Sequence, residues 1–227
     1  MEVPRDDRSA GSPWLPGPDR RPASRALLVL AAASAALAAL AIAAIDRPLA
    51  RALGGYEASA LWARGIDVLE AAIGWPIHPL FPSLAVAALM LAAVAVPRWR
   101  ALAPAAMFLA ATHVFSRFAT NQLKDLTGRL RPTEWLARGG DGTFFREGVA
   151  FPSGHVALFA SLAIPIAMRW PRARPVLAVI PFVAAARIAA SAHFLSDTLA
   201  ALALVALIAW GVAYAARPFS ARPSPPR

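Results

Sequence analysis

Long runs of apolar residues, separated by short polar or basic segments, dominate the chain. A helix needs about 20 mostly apolar residues to cross the hydrocarbon core of a bilayer. Six runs approach that length and predict an all-α integral membrane bundle of six transmembrane helices, forming one domain over residues 26–216. The longest polar break inside it, residues 121–150, is predicted to be a loop. The runs cover residues 26–45, 78–96, 101–119, 151–168, 176–192 and 194–216.

The segment between the first two runs follows a different pattern. From residue 58 to residue 73, apolar side chains recur at steps of three and four, and charged side chains fall largely between them. This spacing predicts an amphipathic helix, which we expect on the external surface beside the functional site. A packed connector is the alternative. The apolar positions are Leu61, Trp62, Ile66, Leu69 and Ile73, and the charged ones are Arg64, Asp67 and Glu70.

Composition supports a membrane protein. Hydrophobic residues make up 58% of the chain and the mean hydropathy is +0.52, which is too apolar for an ordinary soluble domain. The formal net charge is +10, but the arginines flank apolar runs instead of gathering on one polar domain, so nucleic acid is not an expected partner. The chain has no cysteine, which excludes a disulfide framework and a thiolate metal site.

The basic segments predict the orientation of the bundle. Residues 1–25 are predicted to be a disordered cytoplasmic tail, and residues 217–227 a basic, proline-rich cytoplasmic tail. The first apolar run follows a long charged leader, so we expect a retained anchor and not a cleaved signal. The turns at 97–100 and 169–174 are also basic, and the positive-inside rule places them in the cytoplasm. The opposite helix ends then lie on the external, periplasmic face of a bacterial inner membrane.

A candidate site begins with Arg187, His193 and Asp197 near the end of the chain. Residues four apart share a helix face, so the Asp197 carboxylate is expected to reach the His193 ring. A carboxylate on one imidazole nitrogen fixes the tautomer and leaves the other nitrogen as a nucleophile or base. Arg187 supplies a permanently charged fork that suits phosphate oxygens. A buried ion pair that ties two helices together is the alternative interpretation.

Two further clusters lie upstream, each at the end of an apolar run. Lys124 and Arg131 add two positive charges in the pattern K-x6-RP. The sequence Pro152-Ser153-Gly154-His155 is predicted to open a helix, where backbone N–H groups and the Ser153 hydroxyl can contact an oxyanion and glycine allows a close approach. His155 has no carboxylate near it in sequence and suits a general acid that protonates a leaving group.

In this order the three clusters resemble the motifs of the type 2 phosphatidic acid phosphatase family, whose superfamily also holds bacterial acid phosphatases and vanadium haloperoxidases. The motifs K-x6-RP, PSGH and R-x5-H-x3-D extend from Lys124 to Asp197, about a third of the chain. The family often has serine before the arginine of the third motif, where this chain has Ala186, so one hydroxyl contact to phosphate is missing. The resemblance implies a reaction without a metal ion, and no cofactor is expected.

The residues and the resemblance imply the same division of roles. His193 is the expected nucleophile that forms a phosphohistidine, Asp197 orients it, and His155 is the general acid. The expected substrate is a lipid phosphate or diphosphate in the external leaflet, such as phosphatidic acid, phosphatidylglycerol phosphate, an isoprenoid diphosphate or a lipid A phosphate. The oligomeric state is left open. The residues expected to bind phosphate are Lys124, Arg131, Ser153, Gly154 and Arg187.

Two other functions compete with hydrolysis. A phosphotransferase that passes the phosphoryl group to a lipid alcohol is a close variant. A transporter with His113 and Arg117 along its pathway belongs to a different class, and it would not need the catalytic set. His113, Arg117, Asn121 and Lys124 share a helix face that is expected to point into the bundle, because charged groups inside a span are costly. We expect His113 itself to be an interior histidine with satisfied hydrogen bonds.

Overall fold

A computed structural model describes residues 21–54, 60–145 and 147–215. The regular elements found in these ranges are helices, in agreement with the predicted all-α class. The helices are α1 (Arg21–Leu40), α2 (Asp46–Leu53), α3 (Ala60–Ala72), α4 (Phe81–Ala95), α5 (Ala103–Thr127), α6 (Pro132–Ala137), α7 (Gly154–Arg169), α8 (Val179–Ala189) and α9 (Leu195–Ala215). A π-helical turn, Ala41–Ile45, joins α1 to α2, and 3-10 segments at Pro97–Leu102 and Pro171–Ala178 precede α5 and α8.

The two predicted tails fall largely outside the described residues. The first helix begins at Arg21, so the last five residues of the segment predicted to be disordered are helical. Residues 1–20 and 216–227 are not described, and the predictions made for them are untested.

The count of six spans is not confirmed. Within the described residues, three helical stretches are long and apolar enough to cross a membrane, namely 25–53, 97–127 and 195–215. The apolar helices α4 and α7 are shorter, with 15 and 16 residues. The run predicted at 176–192 is divided, because α8 begins only at Val179 and has 11 residues. Pro171 and Pro175 lie in the preceding 3-10 segment, and proline lacks the N–H that a continuous α-helix requires.

The core of the bundle is built around α7. This helix packs against α5, α8 and α9, while α1 packs along α9 and α4 packs against α5. On α7, Val156, Ala157 and Ala160 are almost fully buried, as are Ala201 and Val205 on α9. Small side chains at such contacts allow helix backbones to approach closely, which is how helices commonly associate inside membranes.

The predicted amphipathic helix is present as α3, and it is packed against the bundle. Ile66 is buried in the main core, and the Trp62 and Phe182 rings lie 5.4 Å apart. A Cβ at Gly65 would lie 2.3 Å from the Phe182 ring, so a side chain there would force α3 away from α8. This packing favours the alternative of a packed connector, and the location of α3 at an external surface stays a prediction.

The segment predicted to be a polar loop contains a second small core. Helix α5 continues through Lys124 to Thr127 and ends at Gly128, which has a left-handed φ of 56°. Beyond it, the Leu130 N–H donates to the Phe144 carbonyl at 2.8 Å, and Trp135 and Phe144 pack edge to face. The prediction of a simple loop was wrong for this part, since aromatic residues spread over a polar segment give no periodic signal until the chain folds back on itself.

Candidate active site

Four helix ends bring the three sequence clusters together. Lys124 lies in the last turn of α5, Gly154 opens α7, Arg187 lies in the last turn of α8, and Asp197 lies in the first turn of α9. The Ser153 N–H donates to the Asp197 backbone carbonyl at 3.0 Å. A Cβ at Gly154 would meet the Lys124 side chain at 3.7 Å. Residues 73 positions apart in the chain therefore share one site.

The predicted contact between His193 and Asp197 is present, but the two residues do not share a helix face, because His193 precedes the first residue of α9. His193 Nδ1 lies 3.3 Å from Asp197 Oδ2, and the same oxygen accepts the Phe194 N–H at 2.8 Å. His193 is 5% exposed and Asp197 is fully buried. With Nδ1 directed at the carboxylate, Nε2 is the nitrogen left with a lone pair for a reaction.

The surroundings of His193 favour its neutral form. The residue lies between α8 and α9, outside both helices. Burial lowers the pKa of His193 below its ordinary value, against the opposing effect of the Asp197 hydrogen bond and charge, and Lys124 and Arg187 lower it further. A neutral imidazole is the form that can attack an electrophile, so the surroundings favour a nucleophile.

A buried ionic network holds the Asp197 carboxylate in place, and the sequence analysis did not predict it. Arg129 Nη1 donates to Asp197 Oδ1 at 2.7 Å, and Nη2 donates to Asp46 Oδ2 at 2.6 Å. Ser196 completes the network, because its N–H donates to Asp46 Oδ1 at 3.1 Å and its Oγ lies 2.6 Å from Arg129 Nη1. The side chains of Arg129, Asp46 and Asp197 are all fully buried.

The Arg129 guanidinium is also enclosed by aromatic rings, and Phe144 and Phe194 lie 4.4 and 4.5 Å from it. Arg129 lies within the K-x6-RP cluster, so the sequence offered a reason to consider it as a site residue. Asp46 looks like an ordinary residue at the end of an apolar run, and nothing local marks it as a partner of a residue 83 positions away.

His155 also has a carboxylate partner, which the sequence did not indicate. Its Nε2 lies 2.7 Å from Oε1 of Glu70 on α3. The Trp75 ring lies 5.5 Å from the His155 ring. Burial raises the pKa of Glu70 above its ordinary value, Arg187 opposes this increase, and Asp67 adds to it. One signal could have found Glu70, since it follows Trp62 and Ile66 at steps of four and so lies on the buried face of its helix.

Two of the predicted phosphate-binding cations, Lys124 and Arg187, act electrostatically on both histidines. Arg187, Lys124 and Arg117 all act electrostatically on His155, and Arg131 and Arg187 act on Lys124. Lys124 Nζ donates to the Val149 carbonyl, and the buried Arg187 Nε–H donates to no acceptor within the described residues. Such a group of positive charges, with a donor still available, suits an oxyanion.

Ser153 occupies a different position from the other expected phosphate ligands. It is fully buried, and its Oγ accepts the Val156 N–H at 3.5 Å as the N-cap of α7. The hydroxyl is thus engaged in capping the helix in this structure, and its contact with phosphate stays a prediction. Ala186, where the family often has serine, is buried in the main core.

The polar face of α5 is only partly directed inward. His113 is fully buried, with Nε2 at 3.0 Å from Ser83 Oγ and Nδ1 at 2.9 Å from Ser161 Oγ, so it is the satisfied interior histidine that was expected. Arg117 stacks over the Trp75 ring at 5.7 Å. Asn121 is exposed, so the inward prediction was wrong for this residue.

A metal centre is not formed by the described part of the chain. In residues 21–54, 60–145 and 147–215, no three His, Cys, Asp or Glu side chains converge in a way that could hold a metal ion.

A sequence model of the PAP2 superfamily matches residues 101–220, more than half of the chain. The chain belongs to the PAP2 superfamily. Comparison with curated proteins and with solved structures finds no significant match. PAP2 membership supports a phosphatase-type hydrolase, and the matched range includes all three motif clusters. Asp46 and Glu70 lie before it, so these two partners belong to the part of the chain that the PAP2 match does not cover.

Proposed function

We propose that this protein is a lipid phosphatase of the PAP2 superfamily that works through a phosphohistidine at the external leaflet of the membrane. One observation carries the proposal: a buried histidine paired with a buried carboxylate, and a second histidine with its own carboxylate, lie near Lys124 and Arg187, and Arg131 lies near both of these cations. A phosphate group needs such cations because its oxygens carry the charge in the transition state.

The first chemical step transfers the phosphoryl group to the enzyme. The Nε2 lone pair of His193 forms a bond to phosphorus while the bond from phosphorus to the lipid oxygen breaks. The electron pair of the broken bond goes to the lipid oxygen, which takes a proton from His155. Asp197 stabilises the positive charge that develops on His193, as the aspartate of a hydrolytic triad does.

The second step returns the enzyme to its starting state. Water attacks the phosphohistidine and gives its proton to His155, which is neutral after the first step. The electron pair of the phosphorus–nitrogen bond returns to His193 Nε2, and inorganic phosphate leaves. The net reaction consumes one ester and one water and yields one alcohol and one phosphate, with both histidines restored.

A groove between α3 and α8 supports a lipid as the substrate. Its described lining is mostly apolar, with Leu61 and Val68 on α3 and Val179 on α8, and Arg64 is the charged residue among the described lining residues. Leu61 and Val68 are 71% and 67% exposed. Each of the two helices carries a site residue near its end, Glu70 and Arg187 respectively. An acyl chain in this groove would keep its phosphate close to the histidines, and each buried methylene contributes about 0.8 kcal/mol.

The external location is supported by the distribution of charge. The site is formed at the end of α5 and the start of α7, whereas the basic turns at 97–100 and 169–174 lie at the other ends of these antiparallel helices. The positive-inside rule places basic turns in the cytoplasm. The site then faces the periplasm in a bacterial inner membrane, with both chain ends in the cytoplasm.

The test is phosphate release by the purified protein from a panel of lipid phosphates and diphosphates in micelles, with and without EDTA. We expect His193→Ala to lower turnover by about a thousandfold or more, as loss of a nucleophile does in other covalent enzymes. His78→Ala is the matched control, because His78 is exposed, and it should keep wild-type activity. Turnover of folded His193→Ala within about tenfold of wild type would rule out the phosphohistidine route.

A further inference from the structure

We infer that Glu70 on α3 is a positioning residue that holds a proton on His155 for delivery to the leaving group. The inference rests on the proposed function and deepens it, since it assigns a role to a residue outside the PAP2 match. The Glu70 and His155 side chains meet at 2.7 Å, and they are only 19% and 18% exposed. Their pairing joins residues 85 positions apart.

The packing of α3 against the core sets the position of Glu70. Ile66, one turn before it, is buried in the core, and Trp62, two turns before it, contacts the Phe182 ring. These three residues lie on the same face of the helix. The contacts of Trp62 and Ile66 with the core therefore set the position of the Glu70 carboxylate, which a helix lying free on a membrane surface would not do.

The charge around His155 explains why a carboxylate is needed. A general acid has to be protonated before it acts, yet burial of His155 and the charges of Arg187, Arg117 and Lys124 all oppose a positive charge on its ring. Within the described residues, Glu70 is the carboxylate in hydrogen-bond contact with His155. A bound phosphate compensates the positive charge of the surrounding cations, and Glu70 compensates the positive charge of the His155 imidazolium.

The atoms in contact define the proton path. Because Glu70 engages Nε2 of His155, Nδ1 is the nitrogen left to serve the leaving group. In the first step the Nδ1 proton moves to the lipid oxygen, and His155 becomes neutral while Nε2–H continues to donate to Glu70. In the second step Nδ1 takes a proton from the attacking water. The Glu70 hydrogen bond thus keeps the same nitrogen available in both steps, in the way that Asp197 does for Nε2 of His193.

This role gives Glu70 a kinetic signature that a structural residue lacks. An alkyl alcohol is a poor leaving group and needs its proton during bond breaking, whereas a phenol is much more acidic and leaves with little help. Loss of proton delivery should therefore slow the first step for an alkyl phosphate far more than for an aryl phosphate. A variant that merely perturbs the fold would slow both substrates alike.

The experiment compares Glu70→Gln with Asp67→Asn in full-length protein. Asp67 lies on the same helix and is exposed, so its variant is a charge-matched control. The substrates are a long-chain alkyl phosphate and an alkylphenyl phosphate with the same chain, and kcat/KM is measured because it reports the first step. For Glu70→Gln we expect a loss of at least about tenfold with the alkyl ester and less than about threefold with the aryl ester. Equal losses with the two esters, or no loss, would overturn the inference.

A second measurement tests the pair without activity. The chain has only four histidines, so 15N-histidine NMR spectra can be assigned by replacing them one at a time. With inorganic phosphate as the bound anion, we expect Glu70→Gln to change the His155 nitrogen signals and to lower its protonated fraction, and Asp67→Asn to change both much less, since Asp67 acts on Glu70 only through its charge. Unchanged His155 signals in Glu70→Gln would overturn the inference. If wild type hydrolyses no lipid phosphate but these shifts occur, the proposed substrate fails and the Glu70–His155 pair stands.

Discussion

Removal of Arg129 tests how much the buried network of Arg129, Asp46 and Asp197 stabilises the protein. Arg129→Leu leaves the carboxylates of Asp46 and Asp197 buried with no cation, although each now lies within 2.7 Å of the guanidinium. Loss of one partner from a buried ion pair costs about 3–5 kcal/mol. Since Arg129 serves two carboxylates, we expect the free energy of unfolding to fall by at least that amount.

Asp46→Asn should change the free energy of unfolding by a smaller amount. The sign of this change should depend on whether Arg129 is present. Arg129 keeps Asp197 as a partner and Ser196 can still donate to the amide oxygen, so the loss is that of a charge-assisted hydrogen bond, about 1.5–3 kcal/mol. In an Arg129→Leu background the same change removes an unpaired buried charge. There it should restore part of the lost stability.

The assay is a double-mutant cycle on the purified protein, with the free energy of unfolding measured for all four variants in one detergent. Asp141→Asn is the control, because Asp141 forms its ion pair with Arg51 at 87% and 54% side-chain exposure, and exposed pairs contribute about 0–1 kcal/mol. If Asp46→Asn destabilised both backgrounds by the same amount, the effects would be additive and Asp46 would not be energetically coupled to Arg129.

Three further predictions concern the reaction and the membrane. Asp197→Asn keeps the shape of the side chain but removes the charge that supports the phosphorylated histidine, so we expect turnover to fall by orders of magnitude; a near-normal turnover number would make the carboxylate structural. The double substitution of Leu61 and Val68 by serine should reduce the preference for long-chain over short-chain lipid phosphates, measured as a ratio of kcat/KM, and an unchanged ratio would exclude the groove as the chain site. Reporter fusions at Arg98 and Gly140 should report opposite sides of the membrane, and a cytoplasmic signal from Gly140 would contradict the external leaflet.

The choice of Leu61 and Val68 for the groove test depends on which apolar side chains of α3 are exposed, and only the structure shows this. Periodicity groups Leu61, Ile66 and Leu69 as apolar positions of one helix. In the folded protein Ile66 is buried and Leu69 packs against the core, so serine at either position would destabilise the bundle. Leu61 and Val68 are largely exposed along the groove, and their replacement can change chain binding without a large loss of stability.

Several features of the protein could be predicted from the sequence because they depend on local spacing. The pairing of His193 with Asp197 needs only four residues, and Lys124, Gly154 and Arg187 each stand at an end of an apolar run. The membership of the PAP2 superfamily, the all-helical class and the interior location of His113 follow from the same local patterns. The length of an apolar run was a weaker predictor of the helices that cross the membrane, because proline-rich segments divide or shorten runs that look continuous in composition.

Other features were decided only by the tertiary structure, because they join residues that are far apart in the chain. Asp46 and Glu70 are acidic residues at the edges of helices, and nothing in their neighbourhood in sequence identifies Arg129 and His155 as their partners. Each was brought to its partner by the packing of its own helix against the bundle. A buried charge is stable only when another charge or donor compensates it, and the chain supplies these compensating groups from segments more than 80 residues away. The sequence by itself thus determined which residues are candidates for the proposed chemistry, and the packing of α2 and α3 decided which carboxylates lie beside them.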